Sequence, residues 1–232
     1  MVWRARHAQS GELAAVKRLH THLMRNDEAR TQFALEQQLA TTLPHHPNLV
    51  HASEATDVDG RPYIALELVP GDDLRRVAVL PARDRAIGIV VGACDGAAHL
   101  HAQGWVHGDI NPSNLVIGDR TVLIDLGVSR RIGEAGTVRG THAYMAPEQI
   151  RGEAWTRASD VFALGVVMWE LAAGKRLFHR GPPWLSMAAV MELEVPALPD
   201  PALDAVVRDA LAKDASQRTP TPGEFAAALR TL

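Results

Sequence analysis

Asp109, Asn114 and Asp125 lie within one stretch, 106–130, which reads V-H-G-D-I-N-P-S-N-L-V-I-G-D-R-T-V-L-I-D-L-G-V-S-R. The segments between them, 115–117 and 122–124, are apolar and β-branched, which suits paired strands. Two acids and an amide are therefore expected on two short turns that face one cleft. Oxygen ligands of this kind, completed by water and phosphate oxygens, are what Mg²⁺ takes, because it is a hard cation with an octahedral preference. Asp109, a few residues ahead of Asn114, is placed to orient a hydroxyl nucleophile. The competing reading is a pair of Asx turns closing two strands, with acids present only for solubility.

Several further side chains must be positioned for such chemistry. Lys17 sits in A-A-V-K, on the second strand of a hairpin read over 2–6 and 13–19 around Ser10-Gly11. A snorkelling lysine on a sheet edge is the commoner use of such a residue. Segment 26–42 has helical spacing, with Phe33, Leu35, Leu39 and Leu43 apolar, Asn26 or Asp27 as cap and Glu28 in the first turn. Glu36 shares a side with Leu39 and Leu43, so it is expected to face inward and to need a cation. Lys17 is the natural partner, and an ordinary surface glutamate is the alternative.

Taken together, H-G-D-I-N-P-S-N and D-L-G resemble the catalytic loop and DFG segment of the protein-kinase family, and A-A-V-K resembles its phosphate-pairing lysine. The likeness continues in G-T-H-A-Y-M-A-P-E. Thr141 there matches the feature that separates Ser/Thr from Tyr kinases, and its hydroxyl is expected beside Asp109. The resemblance implies an α+β bilobal fold, with a small β-rich lobe over 1–69 and a larger helical lobe over 70–232. It implies ATP and Mg²⁺ as ligands, with Asn114 and Asp125 on the metal and Lys17, held by Glu36, on the phosphates. Val2, Ala15 and Val116 are expected around adenine, with Leu66 as gatekeeper and the backbone of Glu67 and Val69 at the hinge. His107, Glu148, Asp160 and Arg218 are expected to be structural, Asp160 bracing the catalytic loop and Arg218 paired with Glu148.

The remaining chain supports these elements. A hairpin over 55–68 turns at Asp59-Gly60 and exits at Pro70-Gly71. Helices are expected over 84–103, over 158–174 as a buried central helix, and over 203–213 and 224–229. Segment 128–138 is polar and Gly-containing and reads as a mobile loop, with Thr137 and Thr141 as candidate phosphosites. His45 and His46 belong to an H-P-N-x-V-like connection, and no carboxylate or cysteine stands at ligand spacing to make them a metal site.

Composition sets the bounds. The 232 residues are 47% hydrophobic, enough for a substantial core, and the net charge of −3 leaves no nucleic-acid footprint. A single cysteine, Cys94, fits a reducing compartment, and the lack of an apolar run of about 18 residues favours a cytoplasmic protein without a membrane segment.

The pattern departs from the family at three places. The resemblance begins at Val2, just after the Gly-rich phosphate loop. That loop and the first strand are absent from this sequence, which points to a start set too far downstream and leaves a bare sheet edge. Gly108 replaces an arginine that receives a loop phosphate, so activity is expected to depend less on phosphorylation. Asn111 replaces a lysine that approaches the transferring phosphate; losing such a donor costs about 10² to 10³ in rate. The expectation is a Ser/Thr protein kinase acting on protein hydroxyls. The alternatives are a truncated pseudokinase that binds nucleotide or a partner, and, further off, a small-molecule phosphotransferase, which H-G-D also resembles.

Overall fold

A computed structural model describes residues 1–58, 60–77, 80–138 and 140–232. Four antiparallel strands form the small lobe's sheet: β1 (Val2–Arg6), β2 (Leu13–Arg18), β3 (Ala52–Val58) and β4 (Arg61–Glu67), in the order β1-β2-β4-β3. The order leaves β1 at an edge, with Val2 57% and Trp3 43% exposed. Register places Ala15 opposite Leu66 and Lys17 opposite Ile64 on β4, and Lys17 opposite Val2 on β1. Ala15 and Lys17, two residues apart, therefore share a face. β3 starts earlier than its alternation suggests because the register shifts between Ala52 and Glu54, which breaks the period-two pattern. Asp59 of the expected turn lies outside the described residues.

Helix α1 (Asp27–Thr42) covers one face of this sheet. Its cap is Asn26, whose side chain accepts from Ala29 N at 2.8 Å, a bond worth about 1 kcal/mol. Asp27 and Glu28 in the first turn suit the positive end of the helix dipole. The helix buries Phe33, Glu36, Leu39 and Ala40, a single stripe in which only Glu36 is charged.

The larger lobe is helical. The chain reaches it through a two-strand contact, β5 (Asp72–Asp73) on β7 (Leu115–Ile117), and β7 pairs in turn with β8 (Thr121–Leu123). Helices α2 (Arg83–Ala102) and α4 (Arg157–Ala173) pack together at its centre, and α4 buries every residue over 158–170. A fully buried large apolar side chain contributes roughly 1.5–3 kcal/mol, so Phe162 and Trp169 make α4 the anchor of the lobe. Around it stand α3 (Pro147–Ile150), α5 (Pro183–Glu192), α6 (Pro201–Ala210) and α7 (Pro222–Arg230). Each begins with a proline whose fixed φ suits the first helical turn. α6 starts before the expected 203 because Asp200 caps it, accepting from Ala202 and Leu203 N, and it ends at Ala210. One apolar cluster is continuous from Phe33 and Leu66 of the small lobe to Phe225 and Leu229 of the large one.

Part of the segment expected to be mobile is pinned. Arg130–Arg131 forms β9, paired with β6 (Trp105–Val106), and the Arg131 guanidinium lies 4.2 Å from the centroid of Trp105. Ser129 is fully buried, and Ala135 bridges to Ala154. Two-residue strands have no readable periodicity, and their partners come from distant sequence, so polarity alone misleads here.

Candidate active site

β2 delivers Lys17 and α1 delivers Glu36 to the same point, where Lys17 Nζ donates to Glu36 Oε1 at 2.6 Å and to Asp125 Oδ1 at 2.7 Å. The Glu36 side chain is 5% exposed and that of Lys17 17%, whereas Asp125 is 45% exposed and opens to the cleft. Burial works against the charge of Lys17, but Asp125 and Glu36 together hold its ammonium above the ordinary value. Burial and the neighbouring Asp125 push Glu36 up despite Lys17, since two carboxylates share one amine. Asp125 is also disfavoured by burial, yet Lys17 and the Gly127 N–H carry it below its ordinary value. Asp125 has φ 69°, the one positive φ at a non-glycine among the described residues. Such backbone costs roughly 1–2 kcal/mol for an L-residue and is held here by the Lys17 and Gly127 bonds. Glycine at 127 leaves room for the junction: a Cβ there would lie 3.0 Å from Asp125 Oδ1 and 3.1 Å from Glu36 Oε2, close enough to press on both carboxylates.

A second polar group is built on the stretch before β7. Asp109 Oδ1 accepts from Thr141 N at 2.9 Å, and Oδ2 accepts from Asn114 Nδ2 at 3.1 Å. Burial raises the Asp109 carboxyl above its ordinary value, opposed by hydrogen bonds from Thr141 and by His107. Asn114 Nδ2 also donates to the Asp109 carbonyl at 2.8 Å. The two groups are tied by backbone: Ile124 N donates to Asn114 O at 2.9 Å, and His107 Nε2 bonds Ile124 O at 3.1 Å, one residue ahead of Asp125.

The residues expected to be structural are buried in one framework. Asp160 Oδ2 accepts from His107 N at 2.8 Å and bonds His101 Nε2 at 2.7 Å, while Oδ1 accepts from Gly108 N at 2.8 Å. Burial opposes its charge, but these partners bring the carboxyl below its ordinary value. Arg218 donates to both Glu148 oxygens, at 2.8 and 3.1 Å, and Ser159 Oγ donates to Glu148 Oε1 at 2.8 Å.

Adenine-side candidates form a less closed set. Ala15 neighbours Leu66 in register, and Val116 faces Asp73, just past the exit of β4. Glu67 is fixed by its own bonds, Glu67 N to His51 O at 2.9 Å and Arg120 Nη2 to Glu67 Oε2 at 3.4 Å. Val69 packs on the core, and Val2 stays largely exposed on the edge strand.

Asn111 lies against Asp109 and helps to oppose the rise of its carboxyl. It is 3% exposed, its Oδ1 accepts from Ser113 N at 2.9 Å and its Nδ2 donates to Asp109 O at 3.0 Å, so it caps the turn Pro112–Asn114. A short amide satisfies the loop backbone locally, where a lysine would have reached beyond it. Thr141 donates its backbone N–H to Asp109 Oδ1 at 2.9 Å.

Other residues of the framework take contacts that the sequence alone does not assign. Trp155 is fully buried, and a Cβ on Gly108, with φ 78°, would stand 2.3 Å from Trp155 Cζ3. The indole therefore fills the space where a side chain at 108 would begin, with the Arg130 guanidinium 5.0 Å from its ring centroid. Gln149 Nε2 donates to Gly108 O at 3.0 Å. Tyr144 OH donates to Glu170 Oε2 at 2.6 Å, and Arg176 donates to both. The substitution of Gly108 was visible as a vacancy, but nothing in the sequence names Trp155 as its occupant.

Oxygen acceptors remain for a metal. Among the described residues Asp125 Oδ2 and Asn114 Oδ1 accept no hydrogen bond, and Lys17, Glu36 and Asp125 together are two carboxylates against one ammonium. That donor set fits a hard divalent cation.

A strand lysine bound to a helix glutamate and to a carboxylate on a strained turn, with a second, half-buried aspartate on the neighbouring turn, defines a phosphoryl-transfer type of cleft. Residues 1–221 match the protein kinase domain, and the chain belongs to that family. It is 31% identical over 254 residues to the serine/threonine-protein kinase PknJ of Mycobacterium tuberculosis, covering 97% of this chain and 42% of PknJ. To PknB of Mycolicibacterium smegmatis it is 34% identical over 238 residues, covering 93% of this chain and 38% of PknB. PknB of Mycobacterium leprae is 33% identical over 238 residues. The chain thus spans about two fifths of the length of these curated relatives.

Proposed function

We propose that this chain is a serine/threonine protein kinase that moves the γ-phosphoryl of ATP to hydroxyls of protein substrates. The observation that carries the reading is the junction of Lys17 with Glu36 and Asp125 at 2.6 and 2.7 Å, tied through Ile124 to the turn of the half-buried Asp109. Asp109 accepts and orients the substrate hydroxyl, and its rigid bonds to Thr141 N and Asn114 Nδ2 fix the direction of approach. Lys17, kept charged by two carboxylates, holds the α- and β-phosphates. Asn114 Oδ1 and Asp125 Oδ2 would hold Mg²⁺, which when bound neutralises phosphate charge. Ala15, Leu66, Val69, Val116 and Val2 offer the adenine a largely apolar seat. Phosphoryl transfer of this kind relies on positioning and electrostatics rather than covalent help, which is what these fixed charges supply.

Residues 1–69 and 70–232 act in this reading as the two lobes that close on the nucleotide, and the cytoplasm is the compartment in which it works. No helix among the described residues is long and apolar enough to cross a membrane.

Transfer of labelled phosphate from Mg-ATP to protein substrates tests the proposal, with Asp109→Asn as the blank. Incorporation above the blank supports it. Equal incorporation by both, together with a nucleotide-induced rise in melting temperature, would replace it with the nucleotide-binding module. Phosphate accepted by an amino sugar but by no protein would replace it with the small-molecule transferase.

A further inference from the structure

A cavity of about 260 Å³ lies between the turn Leu74–Arg76, the turn Pro112–Asn114 and the C-terminal end of α4. Nucleotide-sized ligands occupy about 300–1,000 Å³, so this space suits one or two side chains. Leu74, Pro112 and Leu171 give it an apolar floor, and Arg75, Lys175 and Arg176 stand around it. The one carboxylate lining it, Glu170, is already satisfied by Tyr144 OH at 2.6 Å, Arg176 Nη1 at 2.9 Å and Leu177 N at 3.0 Å. Arg75 and Lys175 pair with no carboxylate among the described residues, and three cations against one acid leave the cavity positive.

Its place relates it to the reaction. Pro112 stands three residues beyond Asp109. Pro112 shares its turn with Asn114, which donates to Asp109 Oδ2 at 3.1 Å, so an extended peptide with its hydroxyl at Asp109 passes this cavity and offers it a side chain a few residues away. An acidic residue there meets Arg75 and Lys175, and an aliphatic neighbour meets the floor. A basic residue would face two like charges and would have to displace Arg176 from Glu170, and that repulsion excludes as effectively as an attraction selects.

We propose that this cavity is a substrate-specificity site for an acidic residue adjoining an aliphatic one, which directs the chain to acidic rather than basic sequences around the acceptor hydroxyl. This deepens the kinase reading and rests on it for its meaning, while the peptide preference itself is measured without turnover.

The test is fluorescence anisotropy of the full chain with two labelled peptides that share one serine and differ only in a Leu-Glu or Leu-Arg pair four residues away. The Glu peptide is expected to bind about tenfold tighter at low ionic strength, with the advantage shrinking in high salt. Arg75→Glu combined with Lys175→Glu, both exposed, is expected to reverse the preference at an unchanged melting temperature. Equal affinity for the two peptides, or a preference that survives the double charge reversal, overturns the proposal. Binding as expected with no phosphate transferred keeps the cavity and removes the kinase reading. Transfer to both peptides with equal kcat/KM keeps the kinase reading and removes the specificity site.

Discussion

Lys17 and Asp125, 108 positions apart in the chain, meet at 2.7 Å, and Glu36 joins them at 2.6 Å through the same ammonium. The small lobe and the turn after β8 are therefore locked by one cation that two acids share. Replacing it exposes how much each acid depends on it.

Lys17→Met is expected to lower phosphoryl transfer by at least about 10²-fold, as the loss of a charge-stabilising donor does. Its effect on stability should depend on pH. Glu36 already titrates above its ordinary 4.5, and without Lys17 it rises further. A raised carboxylate favours the fold at low pH, where it is protonated, and that contribution is lost as pH rises through the folded pKa. The variant should therefore lose more stability at pH 8 than at pH 5, with about 3–5 kcal/mol as the ceiling for a broken buried pair. Urea unfolding at both pH values checks this, and an equal loss at the two would contradict it.

In the proposed reaction Asp109 works as a carboxylate that accepts the hydroxyl proton. Burial raises its carboxyl above 3.8 against the bonds from Thr141. The acid limb of kcat/KM is expected above that ordinary carboxylate value, with activity falling as pH falls. A limb at or below it would show that another group controls the profile.

The Glu148–Arg218 pair should govern stability in acid. Burial alone would raise Glu148, but Arg218 and Ser159 more than offset it and bring it below its ordinary 4.5. A depressed carboxylate stabilises the fold above its unfolded pKa, and this contribution is lost as pH falls through the folded value. Arg218→Met is expected to cost about 3–5 kcal/mol at pH 7, because it strands Glu148 in the core. Its penalty should shrink below pH 4.5, which melting curves between pH 7 and 3 would reveal.

Gly108→Ala forces a Cβ to 2.3 Å from Trp155 at φ 78°. Overpacking of about 1–3 kcal/mol adds to about 1–2 kcal/mol for the left-handed backbone. Trp155→Ala alone should cost about 3–5 kcal/mol as a cavity. The double variant is expected to be more stable than the sum predicts, since the clash has gone. Denaturant titration of all four proteins gives the coupling, and strict additivity would refute the contact.

With glycine at 108 there is no cation in that position to receive a phosphate on the following loop. Phosphatase-treated protein and Thr137→Ala are both expected to keep the rate of untreated protein. A large loss in either would mean that another cation, Arg130 or Arg131, has taken over that task.

Much of this was legible before any coordinates. The helical spacing of Phe33, Glu36 and Leu39 alone directs Glu36 inward, and the alternation of β2 alone sets Lys17 on the face of Ala15. Local periodicity carried those inferences. Sequence could place Asn111 beside Asp109 but not its bonds, because a residue in an irregular turn has no period to fix its direction; its amide caps its own turn and donates to Asp109 O. β9 was missed because two residues make no pattern and its partner β6 lies far off in sequence. The Tyr144–Glu170–Arg176 group joins three elements that only the packing of α4 brings together.

The ring of Trp155 against the backbone of Gly108 also constrains history. Any change at 108 meets an aromatic wall, so an arginine there becomes tolerable only after the tryptophan has shrunk, and shrinking it first leaves a hole. Neither position can change freely without the other, and the two hold one another in place as a ratchet holds its wheel.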